Sequence, residues 1–85
     1  MREIQFTPRG GRELRALSKQ IQRRIVKKLR ENAGLGNPLL RASPLVNLPP
    51  ATHRFRIGKY RVSFYIESGA IFVERVELRG QAYRR

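Results

Sequence analysis

The stretch HRFRIGKYRVSFYIE, His53–Glu67, carries three arginines, Arg54, Arg56 and Arg61, among alternating apolar residues. Guanidinium groups present paired donors in a fixed fork and do not deprotonate in proteins. They therefore suit phosphate binding and the stabilisation of charge on a reacting phosphoryl group. Spacing decides whether they act together, because side chains alternate across a strand. His53, Phe55 and Ile57 share one face, and Arg54 and Arg56 the other. After a two-residue Gly58-Lys59 loop, Tyr60, Val62, Phe64 and Ile66 share a face opposite Arg61, Ser63, Tyr65 and Glu67. The apolar sets must be the inner ones. This predicts an outer surface of Arg54, Arg56, Arg61, Ser63 and Tyr65, with hydroxyls among the cations. Taken alone, a solvated strand face accounts for these arginines as well as a polyanion site does.

The bulk charge points the same way. Nineteen Lys+Arg face six Asp+Glu, a net charge of +13 over 85 residues. Such a field attracts polyanions and speeds their encounter. Nucleic acid is the leading partner class, ahead of an acidic protein or an anionic membrane surface. The absence of cysteine excludes thiol nucleophiles and Cys-based zinc sites, and a single histidine excludes a His-based metal cluster. No cofactor is expected. No apolar run approaches the roughly 20 residues of a spanning helix. The opening MREIQFTPRGGR has no secretory h-region, so the expected site of action is the cytoplasm, with no membrane partner.

The elements that position the arginines follow from periodicity. The length allows one domain over 1–85. In REIQFT, Ile4 and Phe6 alternate with polar residues, which predicts a short first strand that Pro8 and Gly10-Gly11 break. Leu14, Leu17, Ile21, Ile25 and Leu29 then recur at three or four residues, with Val26 widening the stripe. This predicts a helical hairpin: a short helix near 10–17 and a longer one near 19–33, capped by Ser18 and ended by Gly34 and Gly36. Residues 34–51 form a connector, expected to lie packed over the core through Leu39, Leu40, Leu45, Val46 and Leu48. Glu67–Ala70 makes a second turn, and Ile71–Leu78 a further strand. The order β-α-α-β-β-β predicts an α+β domain: a first strand, a helical hairpin and a three-stranded antiparallel meander, in one sheet with the helices on one face.

The last strand conflicts with simple alternation. Ile71, Val73, Arg75, Glu77 and Arg79 would share one face, which turns Glu74 toward the core. A bulge after Val73 would change the parity. Arg75 and Arg79 could join the outer patch. The helix cations, Arg23 and Lys27 among them, are first a solvated face; they can also bind RNA backbone without reading sequence.

The element order, the basic hairpin and the run HRFRIGKYRVSFYIESGAIFVERVELRGQAY resemble the RelE/ParE superfamily of toxins from type II toxin–antitoxin systems. The most specific part is RFRIGKYRVSFYI, an arginine-rich strand, a Gly-x-Tyr-Arg turn and an apolar strand; Arg79 followed by Tyr83 is the second. RelE-like members are metal-independent, ribosome-dependent endoribonucleases that cut mRNA in the A site; ParE-like members inhibit DNA gyrase. The presence of Arg61, Arg79 and Tyr83 together favours the RelE branch. The resemblance implies that Arg61 contacts the scissile phosphate, that Arg79 stabilises it, and that Tyr83 positions substrate or moves a proton. It places Arg54 and Arg56 where members often carry basic residues. Lys59, Arg75, Arg23 and Lys27 are expected to contact RNA. The implied partners are a cognate antitoxin, the ribosome and mRNA.

Two departures stand out. Glu77-Leu78 occupies the place where many members have Gly-His or Gly-Lys, and little chain follows Tyr83. Cleavage needs a base for the 2′-hydroxyl, and arginine is a poor one. A phenol ionises at about pH 10, so Tyr83 would need cations such as Arg61 and Arg79 beside it. Slow or no cleavage of free RNA is expected. Two other functions fit the residues: a gyrase-directed toxin of the ParE kind, and a non-catalytic nucleic-acid-binding module or decayed toxin.

Overall fold

A computed structural model of the chain describes residues 2–78. The first strand, β1 (Glu3–Phe6), leads straight into α1 (Pro8–Arg15). Thr7 makes that transition. Its hydroxyl accepts the Gly10 N–H at 3.1 Å, and Pro8 fills the first turn, where a missing N–H costs nothing. Pro8 and the two glycines, expected as a break, are therefore the start of a helix, and α1 begins two residues earlier than expected from the apolar spacing. The long helix α2 (Lys19–Ala33) is capped as expected, with the Ser18 hydroxyl accepting the Ile21 N–H at 3.3 Å. Ser18→Ala should lower stability by about 1 kcal/mol, read as a lower denaturant midpoint with an unchanged slope.

The remaining strands are β2 (Ala42–Pro44), β3 (His53–Ile57), β4 (Tyr60–Glu67) and β5 (Ala70–Leu78). They form one five-stranded sheet in the order β1-β5-β4-β3-β2, antiparallel except where β1 runs parallel to β5. Both hairpin turns have two residues. Gly58 takes φ of 59° at the first turn position, and Ser68 and Gly69 take 53° and 80°, positive values that match the twist of the flanking strands.

Leu14 of α1 and Ile25, Leu29 and Ala33 of α2 pack on Phe55, Ile57, Val62, Phe64, Ile71, Val73 and Val76. Phe55 and Phe64 stack with ring centroids 4.3 Å apart at the centre of this core. His53 lies at the same face, 6.1 Å from the Phe64 ring, with Nδ1 2.9 Å from the Thr52 hydroxyl. A hydrogen-bonded structural role accounts for it.

The connector differs from its expectation. Pro38–Arg41 forms a 3-10 turn, and Ala42–Pro44 adds β2 beside β3. Ala-Ser-Pro has little strand propensity; the open edge of β3 supplies the pairing that propensity does not. Pro44 then blunts the new edge. Pro38 is buried and Leu39 packs on the core, but Leu40 and Val46 are 80% and 82% exposed. Among the described residues, no helix is long and apolar enough to cross a membrane.

Candidate functional site

The outer face is built from the register of three strands. Arg56 pairs with Arg61, which pairs with Glu77; Arg54 pairs with Ser63, which pairs with Arg75. Two rungs, Arg56–Arg61–Glu77 and Arg54–Ser63–Arg75, therefore lie side by side on the face away from the helices. Alternation predicts this grouping for β3 and β4.

A bulge aligns β5 with it. The pairing steps from Ser63↔Arg75 to Phe64↔Val73, leaving Glu74 as the extra residue. Ile71, Val73 and Val76 thus all point into the core, at 0%, 0% and 5% exposure. Arg75 and Glu77 point out, and Glu74 never has to enter the core. The loop before α1 holds the bulge: the Val73 carbonyl accepts the Thr7 N–H at 3.0 Å and the Thr7 hydroxyl at 3.2 Å. Gly10 sits so close that a Cβ there would lie 2.2 Å from the same oxygen.

The arginines differ in exposure. Arg56 is exposed and Arg54 half-buried, while Arg61 is only 8% exposed and Ser63 2%. The outer face is thus not a uniformly solvated one. A serine flanked by two arginines sits at the bottom of the patch, and Arg61 presents a largely desolvated cation. Charge acts more strongly where water is excluded.

One ion-pair network fixes the rim. Arg75 Nη2 donates to Glu77 Oε2, and Arg75 Nε lies 3.9 Å from Glu13 Oε2. Glu13 belongs to α1, which lies along the part of β5 that β1 does not reach. There its Oε1 accepts the Val76 N–H at 2.7 Å, in the place of a neighbouring strand's carbonyl. Glu13 was not singled out by sequence reasoning. Its partner is a backbone N–H sixty-three residues away, which no local pattern shows.

Beyond the bulge, Tyr65 and Phe72 meet edge to face with centroids 5.3 Å apart on the same outer side. Phe72 was also missed, because it faces outward only through the bulge. Aromatic faces next to cations are the usual platform for unstacked bases.

The other expected contacts divide. Lys59 is exposed at the β3–β4 turn. Lys27 lines a cavity of about 260 Å3 with Arg24, Lys28, Arg56 and Gly58, so α2 and the arginine strand meet there. Arg23 lines a surface groove on α2 with Val26 and Arg30, which Lys27 also borders. Arg79 and Tyr83 lie outside the described residues.

No family model and no curated protein matches this sequence. Solved structures do match. In the RelBE2 toxin–antitoxin complex of Mycobacterium tuberculosis, one chain superposes at a TM-score of 0.72 with 25% identity, over 92% of this chain and 98% of that one. The fold is that of the RelE-like toxins. The archaeal RelE–RelB complex of Pyrococcus horikoshii gives a TM-score of 0.70 at 21% identity, covering 94% and 97% of the two chains. A YafQ structure from Escherichia coli gives 0.62 at 11% identity over 99% and 100%. At those two identities the likeness is one of fold.

Proposed function

We propose that the protein is the toxin of a type II toxin–antitoxin pair and that it cleaves mRNA on the ribosome without a metal. The observation that carries the reading is the pair of rungs on the outer face, in which Arg54, Arg56 and the largely buried Arg61 converge from two strands. The comparison structures support the partner class, because they include RelE-like chains in complex with antitoxins. A cognate antitoxin would neutralise the cationic surface with acidic or amphipathic segments.

The arrangement suits the charge term of the reaction. In-line attack of the 2′-oxygen on phosphorus leaves negative charge on the phosphoryl oxygens. Preorganised guanidinium groups stabilise that charge without reorganising at the moment of reaction. Arg61 would contact the scissile phosphate, Arg54 and Arg56 the flanking ones. Arg79 and Tyr83 would complete the site, and Lys59, Lys27 and Arg23 would hold backbone at its margins. The ribosome supplies the alignment of the substrate, which is why free RNA should be cut slowly or not at all.

The deciding experiment is induced expression in a bacterium, with mRNA 5′ ends and translation followed together. Cuts inside translated codons that disappear in Arg61→Ala support the proposal. Intact mRNA with double-strand DNA damage would move the function to gyrase. Intact mRNA with no growth effect would leave a nucleic-acid-binding module or a decayed toxin. A separate measurement reads the margin. Arg56→Gln should reduce the slope of log affinity against log salt for single-stranded RNA by about 0.7–1, with no change in sequence preference.

A further inference from the structure

The arginines leave one demand of the chemistry unmet. A guanidinium has no lone pair to offer a proton, whereas an ionised carboxylate is purely an acceptor. Glu77 is the carboxylate of the two rungs, in register with Arg61 on the neighbouring strand. On the sheet it lies between Arg61 on the neighbouring strand and Arg75 on its own.

Three features prepare it. It is held by Arg75, Arg75 lies against Glu13, and Glu13 is fixed by the Val76 N–H at 2.7 Å, so the carboxylate is tied back to the backbone. Its side chain is 24% exposed, enough to be reached and too little to be freely mobile. A cleft of about 390 Å3 opens beside it, lined by Glu13, Leu17, Tyr60, Glu77 and Leu78. Two carboxylates repel a phosphate from that cleft, while Leu17 and Tyr60 offer apolar and aromatic surface to a nucleobase. Glu77 thus stands between that cleft and Arg61, its neighbour across the strand pair.

We propose that Glu77 is the general base of the cleavage reaction. This rests on the reading of the outer face as an RNA-cleaving site. The proton of the 2′-hydroxyl passes to the Glu77 carboxylate as the O2′–P bond forms. The P–O5′ bond breaks, and the departing 5′-oxygen takes a proton from water. The products are a 2′,3′-cyclic phosphate and a 5′-hydroxyl end, and Glu77 returns its proton to solvent.

The test is single-turnover cleavage of mRNA in programmed ribosomes as a function of pH, for wild type, Glu77→Gln and Glu77→Asp. Thermal melting of each variant is recorded alongside. Glu77→Gln should cut about 100-fold to 10,000-fold more slowly and lose the rise in rate on the acidic side of the profile. Its ribosome affinity should be unchanged. Glu77→Asp should keep the acidic limb at a reduced rate. A Glu77→Gln rate within about threefold of wild type, or a slow Glu77→Gln that keeps the acidic limb, overturns the assignment. The second pattern would make Glu77 only a counter-ion of Arg75. Wild-type protein that does not cut on the ribosome overturns the nuclease reading itself, and with it the base.

Discussion

Gly10→Ala should lower the melting temperature by roughly 10–20 °C, a cost on the order of 3 kcal/mol for a domain of this size. An alanine Cβ at this position would stand 2.2 Å from the Val73 carbonyl oxygen and 3.0 Å from its carbon. The obstacle is backbone, so it cannot rotate away. Either α1 lifts off the sheet or the bulge shifts, and both expose Leu14 and Val73. The neighbouring glycine supplies the control. At Gly11 the added Cβ meets the Arg15 guanidinium at 3.0 Å, the far end of a flexible side chain, and otherwise Phe6 Cβ at 3.9 Å. Gly11→Ala should be neutral or stabilise by up to about 1 kcal/mol, because alanine favours a helix interior. Two thermal melts distinguish the accounts: if both variants melt alike, close packing on the bulge is not what requires Gly10.

Arg61→Lys should reduce cleavage of ribosome-bound mRNA about 100-fold to 1,000-fold, nearly as much as Arg61→Ala. The lysine keeps the charge but loses the planar fork that spans two phosphoryl oxygens. The 8% exposure of Arg61 sharpens the contrast, since a replacement cannot recover the geometry by reaching out through solvent. Affinity for single-stranded RNA should stay within about threefold of wild type, because backbone binding tracks charge. Rate and affinity are measured on the same preparations. Equal losses in both would mean that Arg61 only binds.

Much of this site was legible from alternation. The sets Arg54/Arg56 and Arg61/Ser63/Tyr65 follow from the two-residue period and from a turn that admits one register. The bulge could be suspected at Val73, because Glu74 would otherwise face the core, but the reason it forms lies elsewhere. Thr7 and Gly10 recognise a carbonyl that only the folded sheet brings to them. Their own sequence, TPRGG, reads as a break until that carbonyl is there. Burial was the less legible quantity. Nothing in RFRIGKYR distinguishes Arg61 from Arg56, yet β4 places one low between β3 and β5, whereas β2 pairs only with His53–Phe55 and leaves Arg56 on the open side of β3 in water. Glu13 and Phe72 were missed for the same reason, since each acts through an interaction set by β5. Strand β2 has no signal of its own and exists because β3 offers an edge. The expected roles of Arg79 and Tyr83 lie outside the described residues.

The parallel pairing of β1 with β5 has a consequence for when the molecule comes into being. Glu3 waits for Ala70, and Phe6 for Val73. A chain emerging from its own ribosome can form α2 and the β3–β4 hairpin from local contacts, but β1 has no partner until β5 is out. Long-range pairing of this kind makes folding slow and late. Until β5 arrives, the arginines of β3 and β4 have neither Arg75 nor Glu77 beside them, and α1 has no bulge to seat upon. Assembly of the outer face is thereby deferred until β5 has been made.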